Sequence, residues 1–461
     1  KTGGMIRKRL ARSIQKTRPG LIVIISFTAV AVAGAVLLSL PAASAGDALE
    51  PVDALFTSTS AVCVTGLIVV DTGSQFTAFG KAVILVLIQL GGLGVMTFSV
   101  FLFIFLGRGI GLKQRWIVTE TFAPAPIREV HRLIRSIFIF TFTAEGLGAI
   151  SPFLFWRTRM PPQEALQKSV FHSISAFCNA GFSTYRESFT GHVGDAWLNA
   201  TVMSLIILGG IGFPVIYELR SRFEALRRRK RRALSLHSRM VLSTTAILIV
   251  VGAALFYLTG SMVDNPGLGR GAKVLAALFQ SVTARTAGFN TVDISALGPA
   301  ALFILVMLMF IGASPGSCGG GIKTTSLAVF AAIFRTKISG RSAVTLFKRS
   351  IPDDVVLRAL SVFILSVLVI TAGLYTLLLT ETGSTGGEKG DFLAYLFETV
   401  SAFGTVGLSA GVTSSLTSAG KTVIIMMMLI GRVGLLTVAY VVTRAEHSRM
   451  YKYAEEKVMI G

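Results

Sequence analysis

SAVCVTGL, residues 60–67, is a short run of small and hydroxylated residues that ends near a glycine, and the chain carries four such runs. The other three are SAFCNAGF at 175–182, TARTAGF at 283–289 and SAFGTVGL at 401–408. About 24 to 28 residues after each of them comes an apolar run with glycine: QLGGLG at 89–94, ILGGIG at 207–212, FIGA at 310–313 and LIGRVG at 429–434. A recurring internal pattern of this kind indicates four copies of one structural unit.

The composition favours a membrane protein, because 52% of the residues are apolar. Runs of about 18 or more apolar residues are candidate membrane-spanning helices. Such runs lie at 21–40, 83–106, 133–156, 198–217, 241–258, 300–334, 355–379 and 422–443, and the sixth is long and interrupted. Shorter half-apolar pieces, which suit re-entrant segments, lie at 51–62, 162–177, 271–284 and 391–403. We therefore predict an all-α polytopic membrane protein in which four M1–P–M2 (helix–pore loop–helix) repeats surround one central pore.

The formal net charge of +21 follows the predicted topology. Lys and Arg concentrate in the amino terminus, in the loops after the even-numbered spans and in the carboxyl tail, and the positive-inside rule then places both termini in the cytoplasm. The basic run at 227–232 fits a topology signal that also contacts anionic lipid, with an acidic cytosolic partner as the alternative. The three cysteines lack CxxC spacing, so neither a disulfide framework nor a metal site is expected.

The expected organisation divides the chain at these loops. It comprises a cytosolic amino terminus (1–18), repeat 1 (19–106), a cytosolic linker (107–132), repeat 2 (133–219), a basic cytosolic linker (220–240), repeat 3 with a broken second span (241–334), a cytosolic linker (335–354), repeat 4 (355–443) and a cytosolic carboxyl-terminal tail (444–461).

The four glycine-ending runs suit a cation filter. Irregular backbone survives at membrane depth only where it lines a cavity or is enclosed by protein. A short helix over 51–62 that stops near the midplane would point the negative end of its dipole at the cavity, which favours a cation. The extended residues after it can aim carbonyl oxygens at the axis, and such oxygens replace the water shell of potassium.

Glycine suits these runs because its φ can be positive and no side chain blocks a neighbouring loop. The filter glycines are Gly66, Gly181, Gly288 and Gly407, and the small residues before them are Thr65, Ala180, Ala287 and Val406. A single run of this kind would more readily be a helix-packing surface, whereas four in order favour a filter. One filter glycine per repeat, against two in the TVGYG filter, predicts a shorter column of ion sites and weaker selectivity for potassium over sodium.

The third repeat departs from the others after Gly312, where the chain reads GASPGSCGGGIKTT. Five glycines and a proline between 312 and 321 cannot hold a helix, so the span must break near the membrane middle. We interpret the break as a movable gate, with a rigid space-filling loop as the alternative. Its residues are Gly312, Ser314, Pro315, Gly316, Ser317, Gly319, Gly320, Gly321 and Lys323. A phosphate-binding loop is disfavoured, because Ile322 separates Gly321 from Lys323.

Arg432 stands where the other repeats have Gly92, Gly210 and Ala313. A charge at this depth is costly and should face protein or water, so we expect the guanidinium to donate to carbonyls of the broken segment and to hinder cations in the closed state. Glu145 also lies within an apolar stretch, and the sequence suggests no partner for it.

Together these motifs resemble the Trk/Ktr/HKT superfamily of potassium transporters, most closely its bacterial KtrB/TrkH membrane subunits. The resemblance covers about residues 18–443. It implies ion-binding carbonyls at Val64 and Thr65, Asn179 and Ala180, Thr286 and Ala287, and Thr405 and Val406. It also implies an intramembrane gate contacted by Arg432. In sodium-permeable members serine often replaces the first filter glycine, so Gly66 favours potassium.

The resemblance further implies a homodimer in the bacterial inner membrane, seated on a cytosolic RCK-type regulatory ring that binds the nucleotide. This chain itself would then need no cofactor, and potassium would be its substrate. A secondary transporter of another solute would need two inverted halves, and an intramembrane enzyme would need a converging catalytic set. The five histidines share no metal-ligand spacing, so we do not expect an enzyme. Because the basic residues lie where the membrane topology requires them, we do not expect nucleic-acid binding either.

Overall fold

The computed structural model describes residues 19–94, 130–229, 233–260, 269–340, 343–382 and 392–435. The predicted amino terminus, nearly all of the 107–132 linker, the distal parts of the 83–106 and 422–443 spans, residues 230–232 of the basic run and the tail lie outside these residues.

The described chain is mostly helical, as predicted, and its helices fall into four groups along the chain. The first group is α1 (Pro19–Leu38), α2 (Pro51–Cys63), the single turn α3 (Thr72–Gln75) and α4 (Ala78–Gly92). The second is α5 (Val130–Trp156), α6 (Pro162–Cys178), α7 (Ala196–Ile211) and α8 (Phe213–Arg227). The third is α9 (Leu236–Leu258), α10 (Arg270–Thr283), α11 (Pro299–Phe310) and α12 (Thr324–Ile338). The fourth is α13 (Asp353–Glu381), α14 (Phe392–Gly404) and α15 (Ser418–Val433).

Local sequence fixes several of these helix starts. Proline occupies the first helical position of α2, α6 and α11, where its missing N–H is not needed. Side-chain oxygens of Thr77 and Thr417 cap α4 and α15 by accepting from backbone N–H groups. The described strands are the two-residue β1 (Thr345–Leu346) and β2 (Arg349–Ser350), which form an antiparallel hairpin between α12 and α13.

The short helices α2, α6, α10 and α14 lie inside the molecule. Nearly every residue in the carboxyl-terminal half of each is buried, including serines and threonines. Two large apolar clusters surround them, one containing Phe177 and Phe279 and the other containing Phe56 and Phe397. The short helices therefore end in the interior rather than at a surface.

Three described helices have the length and apolar composition needed to cross a membrane: Arg135–Trp156, Leu236–Leu258 and Asp353–Glu381. The pair α7 and α8 would make a fourth if it is counted as one bent span. In the described residues the predicted spans at 21–40, 83–106 and 300–334 contain the shorter apolar helices Val23–Leu38, Ala78–Gly92 and Pro299–Phe310. Most of the described part of the span at 422–443 lies in α15. The interrupted sixth span forms α11, an irregular loop over 311–323, and α12.

The span predicted over 198–217 contains a sharp bend that the sequence analysis did not predict. Helix α7 ends at Ile211, and the chain bends by 100° before α8 begins at Phe213. Gly212 has φ 97°, a conformation that favours glycine, and Pro214 follows in the first turn of α8. The second helix group therefore turns sharply between α7 and α8.

Candidate functional site: a ring of four turns above an irregular loop

The four runs fold into turns of one conformation. Each turn has two residues with positive φ, the glycine and the residue two positions before it. The pairs are Val64 (56°) and Gly66 (95°), Asn179 (60°) and Gly181 (71°), Thr286 (77°) and Gly288 (77°), and Thr405 (50°) and Gly407 (92°). Left-handed backbone at a non-glycine residue is uncommon and costs energy, so its repetition at four equivalent positions indicates a specific backbone requirement.

The four turns meet in a closed ring. A Cβ added to any of the four glycines would meet the carbonyl oxygen of the residue before the glycine in the next turn. The distance from the added Cβ to that carbonyl oxygen is 2.5 Å for Gly66 and Ala180, 3.0 Å for Gly181 and Ala287, and 2.5 Å for Gly288 and Val406. A Cβ at Gly407 would overlap the carbonyl oxygen of Thr65. The glycines therefore approach so closely that no side chain fits between them, and each turn places a carbonyl oxygen beside its neighbour.

Hydroxyl groups near the ends of the short helices hold each turn in place. Two of them accept a hydrogen bond from the glycine N–H: Ser60 from Gly66 at 3.0 Å and Ser401 from Gly407 at 3.1 Å. Two donate to the carbonyl after the glycine: Ser175 to Phe182 at 2.8 Å and Thr283 to Phe289 at 2.6 Å. These four hydrogen bonds are buried, and none of them involves the carbonyl of the residue before the glycine.

The second glycine runs pack directly behind these short helices. A Cβ at Gly91, Gly209 or Gly431 would overlap a backbone carbonyl at the helix end. Those carbonyls belong to Val62, Phe177 and Phe403, each four residues before a ring glycine. The glycine spacing in the sequence thus permits close backbone approach between paired helices.

The 311–323 loop is tied to the carboxyl end of α7. Ser314 N donates to Gly210 O at 3.0 Å, and Cys318 N donates to Gly209 O at 3.1 Å. Phe213 N, at the start of α8, donates to Gly316 O at 3.0 Å. The last carbonyls of α7 have no partner within their own helix, so the loop satisfies groups that the bend leaves free.

Further contacts fold the loop upon itself and onto α12. Ser317 N donates to Ser314 O at 3.3 Å, and Thr324 Oγ1 donates to Ser314 Oγ at 2.9 Å. Gly312 packs so closely on Gly320 that an added Cβ would overlap the Gly320 carbonyl. Gly321 has φ 67°, and Pro315 lines a neighbouring cavity together with Lys323.

The loop touches the ring from one side. Gly320 N donates to Thr405 Oγ1 at 2.9 Å, and a Cβ on Gly319 would lie 2.9 Å from Thr286 Cβ. Thr286 and Thr405 belong to neighbouring turns, and Thr286 Oγ1 lies 3.3 Å from the Asn179 amide. The side chain of Thr405 is a link that the sequence pattern, which pointed to backbone carbonyls, did not predict.

Arg432 joins the loop to the end of α4. Its guanidinium donates to the carbonyl oxygen of Cys318 in the loop and to that of Gly91 at the end of α4. Lys323 Nζ donates to Gly319 O at 2.8 Å, so two cationic side chains hold carbonyls of the same loop. Arg432 and Lys323 therefore both contact the loop through its backbone carbonyls.

Glu145 has partners that the sequence did not suggest. Gln89 Nε2 donates to Glu145 Oε2 at 3.2 Å, and Cys178 Sγ lies 3.7 Å from Glu145 Oε1. The three residues come from α4, α5 and α6, so only the packed fold brings them together. Within the described residues the carboxylate is thus tied to the end of a short helix.

A cavity of about 610 Å³ lies beside the loop. Pro315, Gly321 and Lys323 line it from the loop, and Gly431 and Gly434 line it from α15 and its end. The cavity therefore borders the loop, and Phe403 at the end of α14 also lines it.

Known transport proteins resemble this chain over nearly all of its length. The family model described as "TrkH: Cation transport protein" matches residues 8–453. The Ktr system potassium uptake protein B of Bacillus subtilis is 39% identical, with 96% of this chain and 97% of that protein aligned. Its namesake in Vibrio alginolyticus is also 39% identical, over 95% and 94%.

A third relative and one solved structure extend the likeness. The potassium/sodium uptake protein NtpJ of Enterococcus hirae is 35% identical over 99% of this chain and 98% of its own length. The crystal structure of the potassium transporter TrkH from Vibrio parahaemolyticus covers 93% of this chain and 86% of its own, with a TM-score of 0.70. At 19% identity, that structure supports the fold alone.

Proposed function

Because the chain belongs to the TrkH family of cation transport proteins, a family of transporters and not of enzymes, we propose that it takes up potassium across a bacterial inner membrane. The ring of four turns carries the proposal. Each turn presents a backbone carbonyl at the close approach of two glycines, and rings of carbonyls can replace the hydration shell of potassium. The names of the relatives support potassium as the ion.

In this proposal four M1–P–M2 repeats surround the pore, with both termini cytoplasmic, and the turns form the selectivity filter. The helices α2, α6, α10 and α14 direct their carboxyl ends at the ion, and their dipoles stabilise a cation there. No ionisable side chain in the turns themselves needs to bind the ion, since uncharged carbonyls let it both enter and leave.

The 311–323 loop is proposed as the gate. Its contacts with Thr286 and Thr405 put it next to two of the four turns, and Arg432 holds it by the Cys318 carbonyl. Opening requires the loop to leave these contacts, and Lys323 moves with it while Arg432 stays on α15.

Regulation is proposed to come from another chain. The relatives named as parts of a Ktr system support a transporter made of more than one component. We place this chain in a homodimer on a cytosolic RCK-type ring, with the nucleotide bound by the ring.

A second candidate is a transporter that also carries sodium. The relative from Enterococcus hirae is named a potassium/sodium uptake protein, and one glycine per turn gives a short filter. In this second candidate the same filter carries both ions, and the two candidates differ in the ratio of potassium flux to sodium flux.

Ion flux into liposomes tests the proposal and separates the two candidates. Purified full-length protein is reconstituted, and uptake of potassium and sodium is followed separately under an imposed membrane potential. We expect potassium uptake above that of empty liposomes and slower sodium uptake. Equal rates would favour the second candidate, and absence of uptake of either ion, with and without the ring subunit, would contradict both.

A further inference from the structure

A cavity of about 310 Å³ lies between α5 and α8, and neither the ring nor the loop lines it. Arg135, Ser136 and Ile139 line it from α5. Tyr217, Arg220, Ser221 and Glu224 line it from α8. The proposed ion path gives this cavity no role, yet its lining combines cationic, hydroxyl and apolar groups.

The charged groups make the cavity suited to an anion. Arg135 and Arg220 come from different helices, and both side chains are exposed. Glu224 Oε1 lies 3.2 Å from Arg220 Nε. The cavity lining therefore contains two guanidinium groups and one carboxylate. Guanidinium groups bind phosphate oxygens through paired hydrogen bonds, and the lining serine and tyrosine residues carry hydroxyls that can donate as well.

The orientation of α8 places the cavity at the edge of a membrane. Helix α5 is one of the described helices long and apolar enough to cross, and α8 leaves α7 at 100°. Along α8, Phe223 and Leu226 are 62% and 65% exposed, and Arg222 and Arg227 are also exposed. Exposed apolar side chains next to basic ones are typical of a helix that lies in the interface between lipid headgroups and acyl chains.

An apolar track leads away from the cavity along α5. Ile139 lines the cavity and is 51% exposed, and Phe142, one turn further, is 57% exposed. Leu147 and Ile150 continue the exposed apolar surface of the same helix. A ligand whose charged group occupies the cavity could therefore extend an apolar tail along α5 towards the bilayer centre.

We propose that this cavity is a binding site for one anionic phospholipid. Arg135 and Arg220 hold its phosphate, and an acyl chain follows Ile139 and Phe142. The surplus of guanidinium over carboxylate favours a lipid with net negative charge, such as phosphatidylglycerol, over zwitterionic phosphatidylcholine. This inference depends on the protein lying in a membrane and not on which ion it carries.

Native mass spectrometry of the full-length protein in detergent tests the site directly. Phosphatidylglycerol, phosphatidylcholine or inorganic phosphate is titrated, and the bound fraction is measured for the wild type and for the double substitution Arg135→Gln with Arg220→Gln. We expect saturable binding of phosphatidylglycerol, weakened about tenfold or more in the double variant through loss of charge-assisted hydrogen bonds. Phosphatidylcholine and free phosphate should bind more weakly than phosphatidylglycerol.

Two further variants separate lipid binding from a structural role. Arg222→Gln removes the same charge from α8 but does not line the cavity, and it should change affinity less than about twofold, as expected of a screened surface charge. Glu224→Gln breaks the same pair as Arg220→Gln yet should tighten binding, because it removes the opposing charge.

Equal binding to the wild type and the double variant would overturn the proposal. So would a loss of affinity on Glu224→Gln, since that would mean that the pair acts through structure. If the double variant does not fold, Arg135→Lys with Arg220→Lys retains the charge but not the paired geometry, and it should bind phosphatidylglycerol more weakly than the wild type. Affinity equal to the wild type would count against the site.

Discussion

At the residue scale, the proposed filter depends on backbone positions that only certain residues tolerate. The sequence predicted the four ring glycines correctly as points of close approach, because small residues repeat at fixed spacing. It did not predict the left-handed conformation of Val64 or Thr405, since both are β-branched and rarely adopt it. The hydroxyl and carbonyl bonds around the turns impose that conformation, and they form only in the folded protein.

Gly288 provides the sharpest test of the ring. In Gly288→Ala, the new Cβ would lie 2.5 Å from Val406 O at a φ of 77°, a strain of about 1–3 kcal/mol. We expect potassium uptake by proteoliposomes to fall about tenfold or more if that strain displaces the carbonyl. Gly271→Ala in the preceding helix meets no atom within 4 Å and should leave uptake nearly unchanged. Equal uptake by both variants would contradict a tight ring.

Arg432 is the second residue-scale test. Replacing it in Arg432→Ala removes two charge-assisted hydrogen bonds, to Cys318 O and Gly91 O, and a positive charge beside the path. Each such bond contributes about 1.5–3 kcal/mol, so we expect the loop to leave its closed position more often and potassium uptake to rise several-fold. Arg432→Lys keeps the charge and should give an intermediate rate. Reduced or unchanged uptake in the alanine variant, with normal folding, would contradict a closing role.

At the element scale, the short helices were the best predicted feature. The pieces expected over 51–62, 162–177 and 271–284 correspond to α2, α6 and α10 within two residues at either end. The 100° bend after α7 was missed, because its cause is the combination of Gly212 and the loop that bonds to the exposed helix end. Hydropathy alone does not detect such a bend, because the two helices together still have the apolar composition of one span.

The loop as an element is tested through its bond to the ring. Thr405→Val removes the oxygen that accepts from Gly320 N at 2.9 Å while keeping the side-chain shape. We expect faster potassium uptake, because the loop loses a hydrogen bond worth about 1 kcal/mol. Thr65→Val is the matched control, since its buried hydroxyl has no hydrogen-bond partner among the described residues. If potassium uptake rises in both variants or in neither, the hydrogen bond between the loop and the ring does not control uptake, which would contradict the proposed gate.

At the scale of the whole molecule, membership of the TrkH family and the mostly helical fold were predicted and are confirmed by the comparisons. The arrangement of four repeats around one pore, the homodimer and the cytosolic ring stay proposals. The composition of a single chain does not identify its partners, whereas the spacing of its glycines does predict internal repeats. The lipid site between α5 and α8 likewise needed the fold, because Arg135 and Arg220 lie far apart in the sequence.

In the proposed mechanism, carbonyl oxygens of the four turns jointly hold a dehydrated potassium ion. An experimental structure of the full-length protein, from crystals grown in rubidium and with anomalous scattering data, tests it most directly. We predict a rubidium peak on the line enclosed by Gly66, Gly181, Gly288 and Gly407, within direct contact of the carbonyl oxygens before those glycines. A ring without a peak while the ion binds elsewhere in the protein would contradict the account.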